Sequence, residues 1–492
     1  MESSNANIPF IHLMHSRYGY YFFDVNTNEI VKTTKNTYEH LNNVLNGITE
    51  WSEKTTESEI TYLIEKGYLS NHRPHSIEVS GLDNIDYYLK HNLRILILQI
   101  TQKCNFRCRY CHFSSDEFGY HNHNLASMNW DTAKKAIDFF GARTRDTNDI
   151  SVVFYGGEPL IERVLLYRCI DYCNEVFEGK KLSYYLTTNG ELLDVQYAKD
   201  LIDNNVNITV SLDGPKEIQD RNRKRAYDGS GSFDTVYKNL TEINQKLPDY
   251  FSKISFNSVL DPSVDCQSIN QFFSDALFNG VVVKANLMSP NDGKKLSFSE
   301  NYLNTDKRNK LLFMLTRANL LDESQIPILS RNHFSEFYEF ESKYRNIGKL
   351  SNRIGHTGPC KPGYNKLFVS VDGRFLICEK VRDNSQSLCI GSLEQGFDIP
   401  KIKEVCNFMC RDKCKNCWNI QNCNVCQMMV DDGKKLSVDL FDTACINSRR
   451  KAEDNFKIMI ALSEVGEMLN LNEKNPIIAT PFSSYGKDGS YI

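Results

Sequence analysis

An α/β fold with a parallel sheet is predicted for the middle of this chain of 492 residues by two observations. From about residue 94, six runs that suit buried β-strands alternate with stretches that have the apolar spacing of amphipathic helices. Cys104, Cys108 and Cys111 follow the first of these strands directly. Because ligands bind at the carboxyl ends of the strands in parallel sheets, we expect this cysteine loop to be functional.

The N-terminal part of the chain predicts a small domain, to which we assign residues 1–90. The segment GYYFFDVNTNEIVKTT (19–34) is typical of a β-hairpin, because aromatic and β-branched runs flank an Asn-rich turn. Helical patterns follow at 36–45 and 60–70. This pattern is compatible with a purely structural role as well as with a role in binding a partner.

The strand–helix repeats define residues 91–300, and three further parts are predicted after them. Residues 301–357 have a helical pattern and form a bridge, residues 358–447 are rich in turns and cysteine, and residues 448–492 contain a helix and a polar tail. The six predicted strands are LRILILQI, DISVVFY, LSYYLTT, NITVSL, KISFNSVL and VVVKANLM.

Composition narrows the classes of partner. The 58 basic and 62 acidic residues nearly balance, so neither nucleic acid nor a membrane surface is indicated. No apolar run approaches the ~20 residues of a membrane span, and the first residues lack the pattern of a signal peptide. We therefore expect a cytoplasmic protein, whose 16 cysteines serve as metal ligands rather than in disulfides.

The spacing Cys-x3-Cys-x2-Cys of the cysteine loop is one protein ligand short of a four-coordinate metal site. Three thiolates on a short loop suit a [4Fe–4S] cluster with one open iron, to which a cofactor can bind. A zinc site is the alternative, with His112 as its fourth ligand.

Four short motifs lie at later strand ends or just beyond them. They are FYGGEP (154–159), TTNG (187–190), SLDGP (211–215) and QDRNR (219–223). The paired glycines of the first motif allow close backbone approach, and its glutamate supplies a carboxylate. On its own, such a string is typical of an ordinary turn. Its position one strand after the cysteine loop makes it a specific signal of a functional motif.

The cysteine loop and these motifs resemble the radical S-adenosylmethionine (SAM) superfamily, whose signature Cys-x3-Cys-x-aromatic-Cys is matched by Cys104, Cys108, Tyr110 and Cys111. The resemblance implies a partial (β/α)6 TIM-like barrel, in which the open iron binds the methionine part of SAM. It also implies that electron transfer cleaves SAM to a 5′-deoxyadenosyl radical, which takes a hydrogen atom from the substrate.

The resemblance further assigns the SAM pocket residue by residue, without assigning a catalytic side chain. Tyr110 lies near the adenine, Glu158 meets the ammonium group, and Ser211 meets the ribose. Arg223 meets the carboxylate of SAM, although Gln219 stands where the family usually has histidine. The residues assigned to SAM are Tyr110, Gly156, Gly157, Glu158, Thr188, Asn189, Ser211, Asp213 and Arg223.

The C-terminal cysteines are similar to the SPASM domain, which holds two auxiliary [4Fe–4S] clusters in radical SAM enzymes that modify peptides and proteins. One spacing is x2 where that family usually has x3, and two zinc knuckles are the alternative. Cys406 and Cys410 are candidates for a missing fourth ligand of the inner cluster, one iron of which otherwise stays open to a substrate thiolate. The resemblance assigns Cys414, Cys417, Cys423 and Cys445 to the outer cluster and Cys360, Cys378 and Cys426 to the inner one.

The N-terminal domain resembles the winged-helix domains with which enzymes of ribosomally made peptides recognise a leader segment. Such domains add the leader as a strand to a sheet edge, which YYFFDV and EIVKTT are predicted to form here. The resemblance thus implies an enzyme that uses SAM and three [4Fe–4S] clusters to cross-link a precursor peptide.

The expected bond is a cysteine thioether, and the expected electron donor is a one-electron carrier such as flavodoxin or ferredoxin. Carbon–carbon cross-linking and the formation of formylglycine in sulfatases are alternative reactions. The leader-binding domain argues against formylglycine formation. A zinc-binding scaffold is the alternative without enzyme activity.

Overall fold

The computed structural model describes residues 7–53, 57–111, 123–288, 296–355, 358, 360–469 and 478–479. His112, the candidate fourth zinc ligand, lies outside these residues. Among the helices in these ranges, none has the length and apolar character that crossing a bilayer requires.

The N-terminal unit contains an antiparallel sheet that carries helices on one face. The predicted hairpin is confirmed as β2 and β3, and one strand that was not predicted, β1, precedes it. Thr34 caps α1, because its side chain accepts a hydrogen bond from the Thr37 backbone N–H. The elements are β1 (Ile11–His15), β2 (Tyr20–Asp24), β3 (Glu29–Thr33), α1 (Lys35–Leu45), α2 (Ser58–Glu65), β4 (Ser76–Glu78) and α3 (Ile85–His91).

The middle of the chain is the predicted α/β core. Its strands are β5 (Ile95–Thr101), β6 (Phe106–Cys108), β7 (Asp149–Gly156), β8 (Lys181–Thr188), β9 (Val206–Ser211), β10 (Arg223–Arg225), β11 (Ser255–Leu260) and β12 (Val283–Leu287). Its helices are α4 (Trp130–Gly141), α5 (Arg163–Val176), α6 (Val195–Asp203), α7 (Lys216–Asn222), α8 (Phe233–Lys246), α9 (Pro248–Phe251) and α10 (Gln267–Phe273).

The core is a partial (β/α)6 barrel, and all six predicted strands are confirmed. β5, β7, β8, β9, β11 and β12 lie side by side and parallel, in the order in which they occur along the chain. β5 is buried at six of its seven positions, as expected for a parallel strand that is covered on both faces. Its carboxyl end leads directly into the cysteine loop.

The cysteine-rich segment extends the core sheet after two bridging helices, α11 (Glu300–Arg317) and α12 (Ser330–Asn346). The later elements are β13 (Arg353–Gly355), β14 (Lys366–Val369), β15 (Arg374–Leu376), β16 (Cys389–Ser392), β17 (Gly396–Phe397), α13 (Ile399–Phe408), α14 (Val438–Met468) and β18 (Ile478–Ala479). β14 pairs with β5 in parallel, and β15, β16 and β17 follow it in antiparallel order. The sheet therefore has ten strands rather than six.

The N-terminal sheet shares a hydrophobic core with the C-terminal part of the chain. One of its faces packs on α1 and α2, and the other packs on α12 and α14. The rings of Phe23 and Phe456 lie 4.7 Å apart, and His12 stacks on Trp418 at 3.9 Å. The N-terminal unit is therefore anchored to the segment that follows the core.

The predicted peptide-binding edge needs a correction. β2 lies between β1 and β3, so the segment YYFFDV offers no edge. The outer edge of β3, within EIVKTT, is paired with β18. The sequence pattern could not show this, because backbone pairing between distant segments leaves no mark in the local alternation of residues.

Candidate active site and cysteine clusters

The motifs predicted to bind SAM meet at the carboxyl edge of the core sheet. Cys104 follows β5, Glu158 follows β7, Asn189 follows β8 and Asp213 follows β9. These strands are adjacent and parallel, so their carboxyl ends lie at one edge. The structure thus brings together the residues that the sequence singled out.

Gly156 and Gly157 let the cysteine loop lie against the end of β7. A Cβ atom on Gly156 would lie 2.0 Å from the Thr101 carbonyl oxygen, and one on Gly157 would lie 2.2 Å from that of Lys103. The backbone N–H groups of Gly157 and Glu158 donate to the same two carbonyls, at 3.0 and 2.8 Å. The close approach expected at these glycines is therefore made by the backbone of the cysteine loop.

The Glu158 carboxylate is buried and holds the end of β8. It accepts hydrogen bonds from the Leu160 N–H at 3.0 Å, the Asn189 N–H at 2.7 Å and the Thr188 hydroxyl at 2.8 Å. Burial raises its pKa to about 7, although these hydrogen bonds act in the opposite direction. A carboxylate has about four acceptor positions, so one is left for an ammonium group such as that of SAM.

Tyr110, Asp213 and Arg223 form a buried network. The Tyr110 hydroxyl donates to Asp213 at 2.5 Å, and Arg223 Nε lies 3.1 Å from Asp213 Oδ1. Gln219, in the place of the family's histidine, accepts from the Asp213 N–H at 2.9 Å and so holds this loop. The Arg223 guanidinium has five donors, so it can pair with Asp213 and still donate to the SAM carboxylate.

The three thiols of the cysteine loop lie close enough to affect one another. Burial, with smaller contributions from Glu158 and Cys111, raises the pKa of Cys104 to about 12. Burial also raises the pKa of Cys108, while the nearby Arg223 lowers it. Three converging thiols beside a fixed cation fit a [4Fe–4S] cluster with one open iron, because the cation favours the thiolate form.

Three residues that the sequence motifs did not include help to hold the cysteine loop: Asn105 within the loop, and Glu191 and Arg225 outside it. The Asn105 side chain donates to the Glu191 carboxylate and accepts from the Asn189 side chain at 2.7 Å. Glu191 also forms an ion pair with Arg225. The available signal was a carboxylate directly after TTNG and an arginine two positions after Arg223.

The four cysteines assigned to the outer cluster line one cavity of about 440 Å³. They are Cys414, Cys417, Cys423 and Cys445. Burial, with smaller contributions from the other three cysteines, raises the pKa of Cys414 to about 12. Four thiols around one cavity fit a [4Fe–4S] cluster, which takes four cysteine ligands.

The three cysteines assigned to the inner cluster also lie near one another. Burial, with a smaller contribution from Cys426 among other groups, raises the pKa of Cys378 to about 11. Burial and then Cys360 raise the pKa of Cys426. Burial raises the pKa of Cys406, and the neighbouring Cys410 also raises it.

A single metal ion and a four-iron cluster require different spacings of the same ligands. Within the ranges that the structure describes, no three His, Cys, Asp or Glu side chains converge as the ligands of one metal ion do. Thiolates on one zinc ion all lie about 2.3 Å from the same atom. Thiolates on a four-iron cluster bind different irons and therefore stand farther apart.

Ser448 supports one ligand of the outer cluster. Its hydroxyl accepts hydrogen bonds from Asn419 Nδ2 at 3.0 Å and from the Asn424 N–H at 3.2 Å. Both acceptor positions of the hydroxyl are then used, so its single proton is directed to Cys423 Sγ, 3.9 Å away. Hydrogen bonds to cluster sulfurs are among the interactions that set reduction potentials.

Ser448→Ala is expected to shift the midpoint potential of the outer cluster to a more negative value without loss of iron. The variant removes the donor that stabilises negative charge on the Cys423 sulfur in the reduced state. A redox titration of reconstituted protein, followed by electron paramagnetic resonance, measures the shift. Ser448→Thr keeps the hydroxyl and should keep the original potential. An unchanged potential in Ser448→Ala would show that this hydrogen bond does not tune the cluster.

Comparisons with known proteins agree with the geometry of the core. Residues 98–274 match the family model described as the radical SAM superfamily. An uncharacterized protein of Methanocaldococcus jannaschii is 27% identical over 314 residues, which cover 63% of this chain and 93% of that protein.

Two relatives with named activities match shorter stretches. The radical SAM cyclopropyl synthase TigE of Paramaledivibacter caminithermalis is 27% identical over 224 residues, 41% of this chain and 43% of its own length. A cysteine-type anaerobic sulfatase-maturating enzyme of Clostridium novyi is 28% identical over 170 residues, 32% of this chain and 42% of its own length. The chain therefore spans less than half the length of these two enzymes.

The fold itself is similar to a solved structure of anSMEcpe with bound AdoMet and Cp18Cys peptide. The TM-score is 0.54 at 17% identity, with 77% of this chain and 99% of that chain covered. The family match begins within β5 and ends after α10, so it includes the cysteine loop and all of the strand-end motifs. The chain therefore contains a radical SAM domain, which spans residues 98–274.

Proposed function

We propose that this enzyme is a peptide maturase that forms a cysteine thioether in a ribosomally made precursor peptide. One observation carries the proposal: the Tyr155 phenol lies near enough to a thiol of the cysteine loop and to a thiol of the inner group to be affected by both. Burial raises the pKa of this phenol, and four neighbouring acidic groups raise it further. These groups are Glu379, Cys111, Asp383 and Cys378. A peptide held beside Tyr155 would therefore face both sites.

Polar side chains tie the two sites together next to this ring. Gln99, on β5, and Gln102, just after it, each donate to Asp383 at 2.9 Å. Asp383 belongs to the loop that follows Cys378. The separation between the cysteine loop and the inner cysteines is thus held by direct hydrogen bonds rather than by a flexible linker.

With a [4Fe–4S] cluster on the cysteine loop and SAM bound, the site would supply a 5′-deoxyadenosyl radical that removes one hydrogen atom from the peptide. Glu158 would hold the ammonium group of SAM and Arg223 its carboxylate, which fixes the cofactor at the sheet edge. Closing a thioether on the resulting carbon radical then requires loss of the thiol proton and of one electron. The inner cysteines support a cluster in a position to accept that electron. The proposed enzyme also has an outer cluster and receives electrons from an external one-electron donor.

The N-terminal sheet supports a precursor with a leader, because an extended peptide can add to a sheet edge as a further strand. Similarity to a sulfatase-maturating enzyme favours formylglycine formation as a second candidate, and similarity to TigE favours a bond between carbons. Thioether formation consumes the peptide thiol without producing an aldehyde, so product analysis separates it from formylglycine.

The proposal is tested by iron analysis together with Cys426→Ser. Reconstituted protein is expected to hold about twelve irons, four for each of three clusters. Cys426→Ser removes a ligand of the inner cluster and leaves the cysteine loop intact. It should therefore abolish the cross-link in a cysteine-containing precursor encoded beside the gene, while SAM cleavage continues. Mass spectrometry of the peptide and chromatography of 5′-deoxyadenosine measure the two outcomes.

The matched control changes two cysteines that lie beside each other on and just after α13. Cys406→Ser combined with Cys410→Ser should leave iron content and cross-linking nearly unchanged. Loss of about four irons in this control would show that Cys406 or Cys410 is the fourth ligand of the inner cluster. That cluster would then have no open iron, and direct binding of the substrate thiolate to it would be ruled out. Stoichiometric zinc without iron would overturn the radical reaction itself.

A further inference from the structure

Two residues from the C-terminal part of the chain pair with the edge of the N-terminal sheet at which a peptide strand would dock. β18 pairs in parallel with β3, so that Ile478 lies opposite Ile30 and Ala479 lies opposite Val31. β1, β2 and β3 are joined by short connections, whereas β18 lies more than 440 residues farther along the chain. Among the described strands, β18 alone joins this sheet from outside the N-terminal unit.

Helix α14 brings this segment to the sheet. The Tyr21 hydroxyl donates to Glu464 at 2.7 Å, and Lys32 Nζ lies 2.7 Å from the Glu467 carboxylate. Tyr21 is on β2 and Lys32 is on β3, while both glutamates lie in the last five residues of α14. The end of the helix is therefore bound to the same sheet that β18 joins.

We propose that the outer edge of β3 is a docking site for an extended peptide and that the C-terminal segment is its resident occupant. A strand edge presents one row of backbone N–H and C=O groups, so it pairs with one strand at a time. An incoming leader must then displace β18 before it can pair with β3. This last step rests on the proposed function, whereas docking of the C-terminal segment does not.

Tethering makes the resident strand an effective competitor. An attached segment acts at an effective concentration of about millimolar when its linker permits docking. A free peptide that offers only backbone pairing at micromolar concentration is then excluded. A precursor that also contacts the α/β core can supply the additional binding free energy. The occupied edge therefore selects for peptides that bind both the N-terminal sheet and the α/β core.

The first test releases the strand in the full-length chain. Ile478→Pro combined with Ala479→Pro removes two backbone N–H donors and restricts the backbone of β18. Amide hydrogen exchange is expected to accelerate in β3 and to stay slow in β2, which keeps both of its neighbours. Ile478→Val combined with Ala479→Val keeps strand-forming residues and should exchange as the parent does.

The second test uses a labelled synthetic peptide of residues 470–492 and measures its binding by fluorescence anisotropy. It should bind the proline variant at least about tenfold more tightly than the parent chain, whose edge is occupied. The same peptide with both prolines should not bind. Unchanged exchange in β3, or equal affinity for variant and parent, would overturn the inference. Both measurements use the reconstituted full-length protein and need neither SAM nor a precursor, so the result is independent of whether the proposed function holds.

Discussion

Replacing Cys104, Cys108 and Cys111 together by Ala is expected to abolish SAM cleavage and to remove about four of about twelve irons. The three thiols converge at the carboxyl edge of the core sheet, next to the groups that would hold SAM. Without them SAM has no iron to bind there. The other two cysteine groups belong to the cysteine-rich segment after the core, so about eight irons should remain. A colorimetric iron assay and chromatography of 5′-deoxyadenosine measure both effects.

Cys389→Ala is the matched control for this variant. The Cys389 thiol donates to the Gly391 carbonyl at 3.6 Å, and it belongs to none of the three cysteine groups. Iron content and SAM cleavage should therefore stay at the parent level. Continued SAM cleavage in the triple variant would place the SAM cluster elsewhere, and loss of all iron would show that the three sites do not assemble independently.

Gly157→Ala is expected to abolish SAM cleavage by displacing the cysteine loop. The new Cβ would lie 2.2 Å from the Lys103 carbonyl oxygen and 3.0 Å from that of Gln102. Both are backbone atoms, so the clash cannot be relieved by turning a side chain. Relief requires the loop to move and to lose the bond from the Glu158 N–H to Lys103, at a cost of about 3 kcal/mol or more. SAM-cleavage assays, iron analysis and thermal unfolding measure the damage.

Gly348→Ala provides the same chemical change without the clash. A Cβ atom on Gly348 would meet no heavy atom within 4 Å. This variant should keep the iron content, SAM cleavage and unfolding temperature of the parent. If Gly157→Ala behaved in the same way, the close packing of the cysteine loop on β7 would not be required for the site.

The shared hydrophobic core changes how the N-terminal unit can be tested. Deleting residues 1–80 would remove Phe23 and Ile30 from a core that they form with Phe456 and Met459. Such a deletion would combine a loss of stability with any loss of peptide recognition. Substitutions in β18 leave this core in place and therefore report on the sheet edge alone.

The amino-acid sequence by itself determined the features that depend on local pattern. Alternating strands and helices predicted the six parallel strands, because strand and helix periods are local properties. The position of Glu158, Asn189 and Asp213 after successive strands predicted that they would meet, because parallel strands end at one edge. Cys169 and Cys173, four residues apart, were predicted to be core thiols, and both are fully buried on α5.

The tertiary structure alone decided the contacts between distant backbone segments. The atoms that require Gly156 and Gly157 are carbonyl oxygens of Thr101 and Lys103, more than 50 positions earlier. β14 joins β5 across more than 260 positions, and β18 joins β3 across more than 440. Backbone hydrogen bonds are available to almost every residue type, so such pairings carry no residue signature. They are selected by how the helices and sheets pack. That packing placed Cys111 and Cys378 near Tyr155 and placed β18 on the N-terminal sheet.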